Sequence, residues 1–248
     1  MDATTLEKTG LITTFARTIE DVRDAQRLRW TVFAGEMGAR LSGPEGLDAD
    51  GWDAQCLHVL VREPSGRVVA CLRALDQDAA AAAGGFYSQS EFDLSRFLSA
   101  PGRILEVGRT CVAADRRDGA TLSALWSGLA RAAVERGAER LIGCVSVPFD
   151  PETQSLDLLR AALADHLSGE EHRVWPLRPV PRGDERGVAA GAPPLLRAYL
   201  RLGAKVCGEP SWDPDFGTAD FFVVVPVERM AARYGRRFLG GAKAAACA

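Results

Sequence analysis

The fold is decided by residues 103–129, RILEVGRTCVAADRRDGATLSALWSGL. An apolar run carries Glu106 and Arg109, breaks into a charged loop over 115–119, and continues at once as apolar residues at helical spacing. This pattern predicts a central strand over 103–113 and a helix over 119–136. A helix that begins directly after a strand presents unpaired amide groups, so the stretch also predicts an anion site of the kind that holds a phosphate-bearing carrier.

Strands and helices alternate along the rest of the chain, which predicts a single domain over 1–240, built on a mixed α/β sheet, and a disordered tail at 241–248. Further strands are predicted over 11–17, 56–62, 67–75, 140–147 and 219–225. Further helices are predicted over 21–33, 155–167, 193–202 and 227–238. The intervening segments are predicted as a loop at 35–51, a hairpin turn at 63–66, a surface excursion at the alanine run 79–83 and an irregular crossing at 168–194.

Composition excludes several classes of protein. The chain has 248 residues, 47% of them hydrophobic, and a net charge of −3, which gives no case for nucleic-acid binding. Six cysteines show no metal-ligand spacing, so we interpret them as reduced thiols of a cytoplasmic protein without a metal site. No signal peptide or membrane-spanning run is visible, and no GxSxG, Walker or GxGxxG motif is present.

Three carboxylates, Asp48, Asp50 and Asp53, fall within six residues. Their mutual repulsion is unfavourable unless cations lie close by. One interpretation is a site for an amine or a metal ion. The other is a solvated acidic loop with turn-forming duties, and the spacing alone favours this second interpretation.

Glu106 and Arg109 are three positions apart, so in a regular strand they point to opposite faces. They share a face only if the strand has a bulge. Without a bulge they would form separate salt bridges at the end of a sheet. For Arg73, at a strand end, a structural role is the simpler interpretation. For Arg29, one helical turn before Phe33, the simpler interpretation is a side chain that covers apolar surface and extends its charged end to solvent.

Basic residues mark two further places. Arg116, Arg117, Gly119 and Ala120 surround the predicted helix start, where the alternatives are ordinary capping and phosphate binding through backbone amides. Arg229, Arg233 and Arg237 recur every four residues in the last predicted helix. They form either the solvated edge of a docked helix or a contact for an acidic carrier protein or anionic lipid.

Taken together, these separate signals resemble a known family. Arg29, Phe33, the three aspartates, Arg73, Glu106 and Arg109 follow the order found in acyl-homoserine-lactone synthases of the GNAT superfamily of N-acyltransferases. The segments LRWTVFAGEMGARL, DADGWDAQCLHVLV, ILEVGRTCVAADRRDGATLSALWSGLA and PPLLRAYLRLGAKVCGEPSWDPDFGTADFFVVVPV are more similar to ornithine Nα-acyltransferases, the haemolysin-like enzymes that begin ornithine-lipid synthesis. The resemblance covers residues 10–240.

The resemblance implies a mixed, splayed GNAT-like sheet flanked by helices. It implies transfer of a 3-hydroxyacyl chain from the 4′-phosphopantetheine of acyl carrier protein to the α-amine of L-ornithine, with no permanently bound cofactor. Glu106, Asp48 and Asp50 are then candidates for accepting the amine's proton, and Arg109, Arg73, Asp53, Arg29 and Phe33 for binding the acceptor. Val112, Arg116, Arg117, Gly119 and Ala120 would hold the carrier arm, although the usual glycine pattern of that loop is only partly kept.

Other functions stay open at this point. In one alternative, the acceptor is another amino acid, such as glycine, glutamine or lysine. In a second, the acceptor is S-adenosylmethionine, as in signal synthases. A non-catalytic module that binds an acyl carrier or a membrane surface is the third. We expect a cytoplasmic protein with peripheral contact to the inner membrane face through Arg229, Arg233 and Arg237.

Overall fold

An eight-stranded mixed sheet organises the computed structural model, which describes residues 10–180 and 188–235. The strands of this sheet are β1 Ile12–Phe15, β2 Leu57–Arg62, β3 Val68–Asp76, β5 Ile104–Val112, β6 Arg140–Pro148, β10 Lys205–Val206, β11 Ser211–Asp213 and β12 Thr218–Pro226. Their order is β1-β2-β3-β5-β6-β12-β10, and β11 pairs with β12. Among the pairs described in this sheet, β5 and β6 are parallel and the others are antiparallel.

Two short two-stranded sheets lie beside the main one. They pair β4 (Phe92–Asp93) with β8 (Trp175–Pro176) and β7 (Gln154–Ser155) with β9 (Val188–Ala189). The helices are α1 Ile19–Trp30, α2 Gln77–Ala82, α3 Ser95–Ser99, α4 Gly119–Glu135, α5 Asp157–Leu163, α6 Pro194–Arg201 and α7 Val227–Met230. π-Helical turns follow α1 over Thr31–Glu36 and α7 over Ala231–Gly235.

The long helix α4 packs on one face of the sheet because its apolar residues recur at helical spacing. Asp118 caps it by accepting a hydrogen bond from the Thr121 amide at 2.8 Å. Trp126 is almost fully buried. A Cβ at Gly128 would lie 2.5 Å from a Val59 methyl group, so the glycine allows this close approach of helix and sheet.

The sheet splays between β5 and β6. These strands pair only from Ile104 with Arg140 to Glu106 with Ile142, although both continue for six more residues. The divergence opens a gap at the centre of the sheet. The predicted mixed, splayed sheet flanked by helices is therefore confirmed.

Three element predictions are corrected. The alanine run is not a surface excursion but part of helix α2, because alanine favours helix and Asp76 caps the first turn. The helix predicted over 155–167 is shorter, since Ser155 lies in β7 and the last turn is a 3₁₀ turn over Ala164–His166. The last predicted helix becomes a π-helical turn after Met230, and the tail 241–248 lies outside the described residues.

The five described cysteines are free thiols, as expected. Cys71 and Cys111 lie on neighbouring strands with their sulfur atoms 3.6 Å apart, and both are buried. Cys247 lies outside the described residues.

Candidate active site

A bulge in β5 aims two charged side chains at one cavity. Arg73 pairs with Gly108 and Cys71 with Cys111, so a single residue of β3 faces two residues of β5. Arg109, one of these two, has a φ of +51°, the only positive value among described residues other than glycine. Glu106 and Arg109 both line the cavity as a result. The bulge that Glu106 and Arg109 need in order to point to the same face of the strand is therefore present.

The cavity has a volume of about 250 Å³ and lies beside the gap between β5 and β6. Its polar and charged lining comes from strands, a turn and a hairpin that are distant in sequence. These side chains are Arg73, Tyr87, Ser88, Glu91, Glu106, Arg109, Thr110, Ser146, Asp213 and Asp220. Phe33 and Phe216 also line it, with ring centroids 5.7 Å apart.

Three arginines neutralise the three aspartates of the 48–53 segment. Arg29 from α1 contacts Asp48 at 2.9 Å and Asp53 at 2.7 Å. Arg73 from β3 contacts Asp50 at 2.5 Å and Asp53 at 3.0 Å. Arg109 from β5 contacts Asp48 at 3.1 Å and Asp50 at 3.6 Å. We refer to these six residues as the ionic network.

The ionic network overturns two expectations. The segment is not a solvated acidic loop, because Asp48 is 3% and Asp53 is 6% exposed. Arg29 does not extend its charged end to solvent, since it is 1% exposed. Burial alone would raise the pKa of Asp53, but hydrogen bonds from Arg29 and Gln26 hold that pKa well below its usual range. The acidic cluster is therefore a neutralised part of the protein interior.

Glu106 is held by backbone and hydroxyl donors from the 3₁₀ turn Tyr87–Ser90. Its carboxylate accepts hydrogen bonds from the Tyr87 amide at 2.7 Å, from the Ser88 amide at 2.8 Å and from the Ser88 hydroxyl at 2.5 Å. Burial nevertheless raises the pKa of Glu106. A carboxylate with a raised pKa in a cavity is suited to accept a proton from a bound amine.

A second group of carboxylates lines the cavity and was missed in the sequence. Glu91, Asp213 and Asp220, which we call the acidic triad, bring their carboxylate oxygens within 4.8 Å of one another. Burial and the neighbouring charge of Asp220 raise the pKa of Glu91 to about 8. Burial raises the pKa of Asp220 to about 6. No local spacing announces the triad, because Glu91 follows a 3₁₀ turn and the aspartates belong to the β11–β12 hairpin.

Tyr87 stands among the arginines of the cavity. The guanidinium groups of Arg73 and Arg109 lie 5.5 Å and 5.2 Å from the centre of its ring. Arg109 also lies 5.1 Å from the ring centre of Phe216. Cation–π contacts of this kind add to the ionic network in fixing Arg109 at the cavity wall.

The predicted carrier-arm residues lie away from the cavity, at the end of β5 and the start of α4. Arg116 pairs with Glu63, and Arg117 pairs with Glu36. Arg117 also donates a hydrogen bond to the carbonyl of Val112 at 3.2 Å. Gly119 and Ala120 open α4 behind its cap. The predicted carrier-arm residues thus lie close together around the loop between β5 and α4. The charges of its two arginines are already paired with glutamates, rather than left free for a phosphate.

The C-terminal arginines are only partly described. Arg229 is exposed on α7, whereas the side chain of Arg233 and all of Arg237 lie outside the described residues. Within the described ranges, no helix is long and apolar enough to cross a bilayer.

Comparison with known proteins identifies the family. Residues 28–127 match the model of the acetyltransferase (GNAT) domain. The chain is 35% identical to the L-ornithine N(alpha)-acyltransferase of Rhizobium meliloti (strain 1021), over 91% of this chain and 83% of that protein. It is 36% identical to the enzyme of the same name from Agrobacterium fabrum, over 90% and 83% of the two chains.

Solved structures agree on the fold. BjaI, a CoA-dependent acyl-homoserine lactone synthase solved with SAM and isopentyl-CoA, superposes with a TM-score of 0.56 at 17% identity, over 91% of this chain and 90% of its own. FeeM, an N-acyl amino acid synthase, gives a TM-score of 0.52 at 9% identity, over 90% and 93% of the two chains. The sheet is thus a GNAT-like acyltransferase sheet. By its sequence, this chain is an acyltransferase that belongs to the L-ornithine Nα-acyltransferase family.

Proposed function

We propose that this chain transfers a 3-hydroxyacyl chain from acyl carrier protein to the α-amine of L-ornithine, giving a lyso-ornithine lipid and the free carrier thiol. One observation carries the proposal. The bulge in β5 turns Glu106 and Arg109 into a single cavity beside the gap in the sheet, in a chain related to L-ornithine acyltransferases. Such a cavity holds a proton acceptor and a guanidinium group within reach of one small molecule.

The reaction needs a neutral amine. Glu106, directly or through a water molecule, takes the proton from the α-ammonium group. The nitrogen then attacks the thioester carbonyl and the C–N bond forms. As the C–S bond breaks, the second proton of the attacking nitrogen passes to the carrier sulfur, which leaves as the free thiol. Arg109 and Arg73 attract the acceptor's carboxylate while the aspartates hold them in place. Asp48 and Asp50 remain candidates for contact with the acceptor. Asp53 and Arg29 stabilise the arginine-bearing wall from the protein interior, and Phe33 lines the cavity.

The donor approaches from the other side of the gap. Its pantetheine arm would extend along the splayed part of β5, with its phosphate at Val112, Arg116, Arg117, Gly119 and Ala120. We infer that the donor is acyl carrier protein and that no cofactor stays bound. The free thiols of the described cysteines support a cytoplasmic location. Arg229, Arg233 and Arg237 are proposed to meet anionic lipid at the membrane face.

The test incubates the purified chain with 3-hydroxyacyl carrier protein and, separately, with ornithine, lysine, glutamine, glycine or S-adenosylmethionine, and detects products by mass spectrometry. We expect N-acylornithine. Product with only a different acceptor would contradict the ornithine assignment, and no product with any acceptor would contradict acyl transfer.

Glu106→Gln should lower kcat by at least about 100-fold, because the amine loses its proton acceptor. The matched control is Glu45→Gln, which changes an exposed glutamate in the same way and should leave kcat unchanged. A near-normal rate for Glu106→Gln would remove Glu106 from the chemistry.

A further inference from the structure

The acidic triad differs from the ionic network in having no counter-charge. Each aspartate of the ionic network contacts at least one arginine at 3.1 Å or less. By contrast, among the side chains described within residues 10–180 and 188–235, which leave out that of Arg233, no arginine, lysine or histidine nitrogen forms an ion pair with Glu91, Asp213 or Asp220. Three carboxylates that share one wall without a cation repel one another, and a bound cation would relieve that repulsion.

The protein satisfies only part of the triad's hydrogen-bonding capacity. One oxygen of Asp213 accepts the amides of Asp215 and Phe216 at 2.8 Å and 3.1 Å. One oxygen of Asp220, which is 4% exposed, accepts the hydroxyl of Thr218 at 2.8 Å. Glu91 forms side-chain hydrogen bonds with Cys144 and Tyr87, but its Oε2 atom is out of contact with solvent and has no hydrogen-bond partner in the described chain. A buried carboxylate oxygen without a donor is unfavourable, so a ligand that brings N–H groups or positive charge would stabilise the triad.

The cavity indicates which cation fits. Its volume of about 250 Å³ leaves room for more than a single ion and is small for a large ligand. The same cavity contains Glu106, Arg73 and Arg109, so the acidic triad and the arginine-bearing wall face a common space. A molecule with a carboxylate near one end and a cation at the other matches this distribution of charge. An amino acid with a terminal ammonium group is such a molecule.

Resting on the function proposed above, we propose that the acidic triad binds the side-chain ammonium group of the acceptor and thereby selects ornithine over neutral amino acids of the same length. The α-amine lies at Glu106, the carboxylate at Arg109, and the side chain crosses the cavity to Glu91, Asp213 and Asp220. Burial and the charge of neighbouring carboxylates raise the pKa values of Glu91 and Asp220, and an ammonium group bound between them would lower both pKa values. A site built to bind a charged nitrogen strongly rejects an analogue that lacks it.

The test compares ornithine with norvaline, which has the same carbon chain without the side-chain amine. The ratio of the two kcat/KM values is measured with one acyl carrier donor. In the wild-type chain we expect ornithine to be favoured by at least about 100-fold. Glu91→Gln and Asp220→Asn should each reduce this ratio at least about tenfold, through a slower reaction with ornithine. Asp165→Asn, an exposed aspartate, is the matched control and should keep the wild-type ratio.

The outcomes separate the two proposals. If the wild-type chain makes no N-acylornithine, the proposed function is wrong. If it does, but a folded Glu91→Gln or Asp220→Asn variant keeps the wild-type ratio, the ammonium site is wrong. Should one variant fail to fold, as judged by circular dichroism, the other decides. Calorimetry with ornithine and no acyl donor gives a second readout, in which both variants should bind more weakly. Loss of the ornithine preference on chelation, with recovery on adding Mg²⁺ or Ca²⁺, would assign the triad to a metal instead.

Discussion

Among single residues, Asp53 joins helix α1 to strand β3 through its side-chain carboxylate. It accepts hydrogen bonds from Gln26 at 2.8 Å, from Arg29 at 2.7 Å and from Arg73 at 3.0 Å. Asp53→Asn keeps the shape but leaves buried arginine charge uncompensated. We expect the free energy of unfolding at pH 7, measured by urea denaturation, to fall by about 3–5 kcal/mol. The control is Asp215→Asn, which breaks the exposed ion pair with Arg40 and should change the free energy of unfolding by less than about 1 kcal/mol.

The acid dependence of stability gives the same prediction a second test. The pKa of Asp53 is lower in the folded chain than in the unfolded chain, so the unfolded chain takes up the proton first as pH falls. Its contribution is complete above about pH 5 and is lost progressively below about pH 4. The Asp53→Asn variant should therefore lose less stability than the wild type on acidification. Parallel curves for the two proteins would contradict this role.

The sequence pointed to half of the cavity's charged residues. Glu106, Arg109 and Arg73 were found because they belong to strands whose apolar pattern is clear and because a familiar order of charges includes them. The burial of the three aspartates in the 48–53 segment could not be predicted, because the solvated-loop interpretation did not include the arginines that reach them from α1, β3 and β5. The acidic triad escaped notice because its members come together only through tertiary folding.

At the scale of elements, Gly143 allows β5 and β6 to approach closely at the point where their pairing ends. A Cβ at this position would lie 2.3 Å from the carbonyl oxygen of Val107, so alanine must push the strands apart. Gly143→Ala should lower the free energy of unfolding by about 1–3 kcal/mol and slow acyl transfer, because β5 carries Glu106 and Arg109. Gly191→Ala, which meets no atom within 4 Å, is the control. Unchanged stability in a thermal melt of Gly143→Ala would contradict this account.

The predicted elements were most accurate where one signal dominated. The central strand and the following helix, predicted over 103–113 and 119–136, are observed over 104–112 and 119–135. The errors came from segments with weak or conflicting signals. An alanine run has no hydrophobic periodicity but forms helix readily, and the π-helical turns after α1 and α7 have no sequence signature of their own.

For the molecule as a whole, the proposed donor surface can be tested by charge reversal. Replacing Arg116 and Arg117 with glutamate should raise KM for acyl carrier protein by about tenfold at low salt, with little change in kcat. The difference in KM between this variant and the wild type should become smaller as salt is added, because exposed charges are screened. Arg23→Glu reverses an exposed charge on α1 and serves as the control. An unchanged KM would return both arginines to their structural pairs with Glu63 and Glu36.

The overall architecture was predictable from alternating strands and helices, but the sheet order was not. Nothing local tells that β12 pairs with β6 over nine residues or that the β11–β12 hairpin lines the cavity. These pairings depend on which faces bury each other after the chain has collapsed. The bulge in β5 was partly predictable. The spacing of Glu106 and Arg109 indicates that a bulge is needed for the two side chains to share a face, but only the structure shows that the bulge is present.

The matched charges of the ionic network constrain how mutation can reshape this enzyme. Three aspartates and three arginines form one neutral set, so a single change at any of them leaves a buried charge without its partner, and tolerated changes must come as compensating pairs. The acidic triad has no ion pair with other described side chains, so a change at one of its residues does not leave a buried arginine without its partner. New acceptor preferences should therefore arise in a random mutant library at Glu91 and in the β11–β12 hairpin, while the arginine–aspartate set is retained unchanged.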